Sequence, residues 1–106
     1  MDLDATFAAL ADPHRRGVVE LLRQQPRRAG ELADALGLSR PAMSRHLKLL
    51  RQSGLVDADG DDDDARARVY QLRPERFAEL RAWVGEVEAY WGGQLAAFAA
   101  HVERTR

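Results

Sequence analysis

The chain contains no cysteine among its 106 residues. That absence removes disulfides, thiolate metal sites and cysteine nucleophiles together, and leaves packing alone to hold the fold. Long apolar runs are missing as well: nothing approaches the ~20 residues that a membrane-spanning helix needs, so no membrane partner is expected. The segment from Met1 to Asp12 has Asp2, Asp4 and Asp12 and no basic stretch, the reverse of an export leader, and the cytoplasm is the expected compartment. Internal repeats are absent, and one aspartate run is the only low-complexity stretch. At this length a second folded unit has no room, and residues 1–106 read as one domain.

Hydrophobic residues make up 45% of the chain and charged residues 31%, an ordinary globular balance that supports a real core. A domain this small leaves apolar surface uncovered, which a second copy would naturally bury. The net charge of −1 hides an uneven distribution. Residues 1–52 hold nine Arg/Lys against six Asp/Glu, residues 53–65 hold six Asp and no base, and residues 66–106 hold seven against five. A basic front half with one acidic island is compatible with a local phosphate-facing patch.

Along the chain, residues 4–11 read as a short first helix with Phe7 and Leu10 three apart. Asp12 as cap and Pro13 at the first helical position open a second helix, because proline lacks only a donor that would be unpaired there anyway. It is predicted to run to about Gln25, with Val18, Leu21 and Leu22 as its core stripe and Pro26 as its stop. A third helix spans 29–36 and ends at Gly37; Ser39 caps a fourth from Arg40 to about Ser53. In the fourth, Met43, Leu47 and Leu50 recur at helical spacing and must face the core, which turns Arg40, Ser44, Arg45 and Lys48 outward. Residues 55–72 read as a β-hairpin with an Asp/Gly tip. Pro74 opens a last helix, 74–104, in which Phe77, Leu80, Val84, Val87, Trp91, Leu95, Phe98 and Val102 form a nearly heptad stripe. That helix is longer than one small domain needs to cover itself, so a partner subunit is the simplest cover; Gly92-Gly93 marks a point where a kink or close helix contact is open.

Two helices joined by a tight glycine turn over 29–53, the second with a cationic outward face, fit one helix in a nucleic-acid groove and one across the backbone. The same pattern also suits a helical hairpin with a solvated charged face. The fold class predicted is mainly α with a small β-hairpin, a winged helix-turn-helix in the order α-α-α-α-β-β-α. The candidate DNA-contacting residues are Ser39, Arg40, Pro41, Ser44, Arg45, His46 and Lys48, with Arg66 and Arg68 reaching from the wing. For the wing arginines the alternative is that they neutralise the aspartates across the hairpin; for His46, that it bonds locally or packs against the preceding helix.

Residues 7–72 resemble the ArsR/SmtB family of winged-helix repressors. Phe7-Ala8-Ala9-Leu10-Ala11-Asp12-Pro13-His14-Arg15-Arg16 is similar to the family's opening. The run from Ser44 through Arg45, His46, Leu47, Lys48, Leu49, Leu50, Arg51, Gln52, Ser53, Gly54 and Leu55 to Val56 resembles its recognition-helix signature, and Val69-Tyr70-Gln71-Leu72 its second wing strand. The resemblance implies a homodimer built from the first and last helices that represses transcription from a palindromic operator in double-stranded DNA. The interface residues expected on it are Phe7, Leu10, Leu80, Val84, Val87, Trp91, Leu95 and Phe98.

Two departures from the family pattern matter. Metal-sensing members carry cysteines in a Glu-Leu-Cys-x-Cys stretch, where this chain has Glu31-Leu32-Ala33-Asp34-Ala35. A second family site on the last helix falls on Glu88, Tyr90, His101 and Arg104; only two of its four residues survive and one is replaced by a guanidinium, so no metal site is expected. The wing tip, Asp59-Gly60-Asp61-Asp62-Asp63-Asp64, is anionic where family wings are commonly basic; it is expected to be solvated and to swing away from phosphate. Read as a calcium loop, it lacks the glycine and the distal glutamate.

His14, His46 and His101 have no catalytic partner, and no base is positioned to activate Ser39 or Ser44, so neither an enzyme nor a cofactor is expected. Trp83, Tyr90 and Trp91 read as stripe or core residues, with a small-ligand pocket as the alternative. Two other readings stay open: a sensor of the same fold that answers to a metal ion or small molecule at the last helix, and a protein-interaction module that uses the acidic wing and the apolar last helix.

Overall fold

The computed structural model describes residues 3–60 and 65–105. Among these the chain runs through α1 (Leu3–Leu10), α2 (Pro13–Leu22), β1 (Arg27–Arg28), α3 (Ala29–Leu36), α4 (Arg40–Gln52), β2 (Val56–Asp59), a 3₁₀ turn (Ala65–Ala67), β3 (Val69–Leu72) and α5 (Pro74–Thr105). This is the expected order with two additions, the two-residue β1 and the 3₁₀ turn ahead of β3. Of the acidic wing tip, residues 61–64 lie outside the described residues.

Local chemistry sets the helix ends. Asp12 Oδ1 accepts the backbone N–H of His14 at 2.8 Å and of Arg15 at 3.2 Å, so two donors that a helix start leaves unpaired are satisfied by one carboxylate. Ser39 Oγ does the same for Ala42 N–H at 3.2 Å, and the Arg28 N–H donates to Glu31 Oε1 ahead of α3. Helices α3 and α4 close alike. Leu38 N–H reaches Ala33 O and Leu55 N–H reaches Leu50 O, with Gly37 at φ 65 and Gly54 at φ 81 taking the left-handed turn that these Schellman ends require. Helix α2 stops at Leu22, earlier than the proline at position 26 suggests: Arg23 N–H still makes the helical bond to Val19 O, but Gln24 N–H turns to Leu21 O in a tighter, three-residue step.

The core joins every element of the body. Val18 and Leu22 of α2, Leu32 and Ala33 of α3, and Met43, Leu47 and Leu50 of α4 are buried with Leu55, Val56 and Tyr70 of the hairpin and Ala9 of α1. Leu21, placed in the same stripe as Val18 and Leu22, is only partly covered. The sheet order is β1-β3-β2, both pairings antiparallel, with Val56 opposite Leu72, Ala58 opposite Tyr70 and Arg27 also opposite Tyr70. Strand β3 thus sits in the middle, and its register ties the wing back to the start of α3.

Helix α5 leaves this body. Its 32 residues make a rod of about 48 Å that runs through Gly92 and Gly93 without a break, and none of them is buried. Phe77 still packs against the core, whereas Val84, Val87, Tyr90, Trp91, Leu95, Phe98 and Val102 are exposed. A compact chain of this length has a radius of gyration of about 13 Å; this one has 19.3 Å and extents of 70 × 26 × 22 Å.

Candidate nucleic-acid interface

Helix α4 is two-sided because its sequence is. Met43, Leu47 and Leu50 are at most 1% exposed and fix the helix on the body. Arg40, Pro41, Ser44, Arg45, Lys48, Arg51 and Gln52 are all exposed on the arc that remains. Ser39 stands at the mouth of the helix with its hydroxyl committed to the cap.

The wing extends that arc. A groove of about 510 Å³ lies between α4 and the hairpin, lined by Ser44, Lys48, Arg51 and Gln52 on one side and Arg68 and Tyr70 on the other. A second, of about 680 Å³, continues toward the start of α3 and brings Arg40 and Ser44 together with Arg28, Arg66 and Arg68. Five arginines and a lysine therefore border two adjoining concavities, a field that attracts polyanions. Glu31 and Asp34 also line the second groove, where three of its four arginines come from α4 and the wing.

Of the predicted contact residues, Arg40, Ser44, Lys48, Arg66 and Arg68 meet around these grooves, and Ser39, Pro41 and Arg45 lie on the open flank of α4. His46 does not join them. It is about 160° around the helix from Lys48, partly covered, and its Nδ1 lies 3.3 Å from Arg15 Nη1, with the His14 ring 5.8 Å away. Sequence reading did not include Arg28, Arg51, Gln52 and Tyr70 among the contact residues, though all four line the grooves. The Arg27-Arg28 pair just before α3 was the available signal, but only the pairing of β1 with β3 brings it beside the wing.

Nearby, Asp12 carries a perturbed carboxyl. Desolvation, the largest single contribution, pushes it up, but the N–H donors of Arg15 and His14 and the positive charge of Arg15 lead the effects that together outweigh this and hold it below the ordinary carboxylate range.

The predicted interface residues divide. Leu10 packs on the core and Leu80 is half-buried, while Phe7 meets Trp83 of α5 edge-on at a ring separation of 5.3 Å. Val84, Val87, Trp91, Leu95 and Phe98 stay uncovered, and Tyr90 and Trp91 are surface rather than core residues. Glu88 and His101, the surviving half of the family's α5 metal pattern, are separated by about 20 Å of helix within one chain. Among the described residues, no group of three or more His, Asp or Glu side chains is gathered for a metal ion, and no helix is long and apolar enough to cross a membrane.

A helix-turn-helix whose second helix bears a cationic face, flanked by a hairpin that prolongs that face, defines a winged helix-turn-helix DNA-binding protein. Residues 12–58 match the model of the arsR family of bacterial regulatory proteins. An HTH-type transcriptional regulator of Mycobacterium tuberculosis, Rv2034, is 40% identical over 100 residues, covering 94% of this chain and 88% of the relative. The transcriptional repressor SdpR of Bacillus subtilis is 33% identical over 54 residues, 51% of this chain and 60% of the relative. Among solved structures, an ArsR-like transcriptional regulator from Rhodococcus sp. RHA1 superposes with a TM-score of 0.81 at 28% identity, covering 96% and 91% of the two chains. The homodimeric winged helix-turn-helix DNA-binding domain of Mb0332 from Mycobacterium bovis superposes with a TM-score of 0.65 at 28% identity, covering 83% and 79%. The chain belongs to the ArsR family, a class of transcriptional regulators rather than enzymes.

Proposed function

We propose that the chain acts in the cytoplasm as a homodimeric repressor on an inverted-repeat operator. Two copies pair along α5, with α1 beside it, through Phe7, Leu10, Leu80, Val84, Val87, Trp91, Leu95 and Phe98. Each presents one α4 to the major groove, with the two helices about 34 Å apart on one face of the duplex. Arg40, Arg45 and Lys48 contact phosphates or guanine edges, Ser44 contacts backbone or base, Ser39 and Pro41 set the helix mouth against the duplex, and Arg66 and Arg68 reach phosphates from the wing. A dimer seated across two grooves excludes other proteins from that stretch of DNA, and a relative of this chain, SdpR, is a repressor. The solved homodimeric relative supports the pairing.

The observation that carries this reading is the continuity of the cationic surface from α4 into the wing, backed by the buried Met43, Leu47 and Leu50. Fluorescence anisotropy with a duplex selected from a randomised pool, repeated over a series of salt concentrations, tests it. Log affinity should fall linearly with log salt, and Lys48→Ala should reduce that slope by about 1. Arg45→Ala should cost about 1–3 kcal/mol if the guanidinium reads a base. A wild-type chain that selects no duplex from the pool ends the DNA reading.

A further inference from the structure

The Arg15 side chain makes three contacts and links its own helix to two others. From α2 its Nε donates to Ala9 O at 2.7 Å and its Nη2 to Ala8 O at 3.2 Å, both at the end of α1. Its remaining nitrogen, Nη1, faces His46 Nδ1 of α4 at 3.3 Å. A guanidinium only donates, so the imidazole accepts through Nδ1. The neighbouring Arg16 also caps α1, through Leu10 O at 2.8 Å. Arg16 could therefore hold the end of α1 alone; what Arg15 adds is the link onward to α4. On its other side α1 meets α5, where Phe7 stacks edge-on against Trp83. One unbroken series of contacts thus runs from the exposed stripe of α5 through α1 and Arg15 to the helix that carries the cationic face.

We infer that Arg15 is a positioning residue, which holds each α4 at a fixed angle to the α1/α5 frame so that two copies present their helices at one spacing. The inference rests on the dimeric DNA reading above. It makes affinity for a single half-site independent of Arg15, because that contact needs only one correctly folded α4. Affinity for two correctly spaced half-sites depends on it, because both helices must fit at once.

The test uses the full chain, a symmetric duplex selected from a randomised pool by the wild-type protein, and the isolated half of that duplex. Arg15→Gln should weaken binding to the symmetric duplex about ten-fold while changing half-site affinity less than about two-fold. Arg15→Lys, which keeps one donor, should recover part of the loss. His46→Ala removes only the α4 end of the link and should act in the same direction, and the double variant should be no worse than Arg15→Gln alone. Sedimentation and thermal melting of each variant separate this from simple unfolding, which weakens both duplexes together. Equal losses on the two duplexes, or additive effects of the two substitutions, overturn the inference. A wild-type chain that binds neither duplex instead overturns the DNA reading on which it rests.

Discussion

The body of the molecule and the outer two thirds of α5 follow opposite rules. In the body, apolar side chains at helical spacing find partners inside the same chain: Leu32, Met43, Leu47, Leu50 and Leu55 are at most 1% exposed. In α5 the same spacing finds nothing, and Trp91, Leu95 and Phe98 stand 60–67% exposed. A monomer seldom leaves a contiguous apolar stripe uncovered. The difference teaches that the body is complete as one copy, whereas α5 is half of a structure, and that the cationic face belongs to the complete part.

Breaking the closed region should have the largest effect. Leu47→Ala opens a cavity under α4 and should lower the unfolding free energy by about 2–5 kcal/mol in denaturant titration, irrespective of protein concentration. Breaking the open region should act on assembly instead. Phe98→Asp should raise the dimer dissociation constant roughly 30-fold or more by sedimentation equilibrium, with the far-ultraviolet spectrum of the body retained. If that substitution melts the body while leaving association untouched, the division between the two regions is drawn in the wrong place.

Smaller changes sharpen the account of the body. Ser39→Ala removes the side-chain acceptor of Ala42 N–H at the start of α4 and should cost about 1 kcal/mol of stability. Asp12 contributes through its depressed carboxyl. A group whose pKa is lower folded than unfolded stabilises above the unfolded value and loses that contribution as pH falls through the folded one. Thermal melts from neutral pH downward should therefore show Asp12→Asn with a shallower acid limb than the wild type; identical limbs would mean that the cap carries no linkage.

Much of the body was legible because its signals are local. Asp12-Pro13, Ser39 and the glycines at 37 and 54 punctuate the chain, and the spacing of Met43, Leu47 and Leu50 alone settles which side of α4 faces outward. What stayed hidden depends on distant partners. The strand at Arg27–Arg28 is two residues long, too short for any periodicity, and exists because β3 offers it an edge. Arg28 and Tyr70 reach the grooves for the same reason. His46 shows the limit from the other direction: its place on α4 followed from spacing, but Arg15 waiting on α2 did not. The long stripe of α5 was plain in sequence, and so was its need for a second copy as cover; hidden was where the body's hold ends, with Phe77 and Leu80 half-buried and Trp83 against Phe7.

Hydroxyl-radical footprinting of the wild-type chain on its selected duplex tests the central claim most directly. The account predicts two protected tracts on one face of the DNA with centres about one helical turn apart, roughly 10 base pairs, as two α4 helices of one dimer require. A single protected tract, or protection that survives unchanged when Arg40, Arg45 and Lys48 are all replaced by alanine, would contradict it.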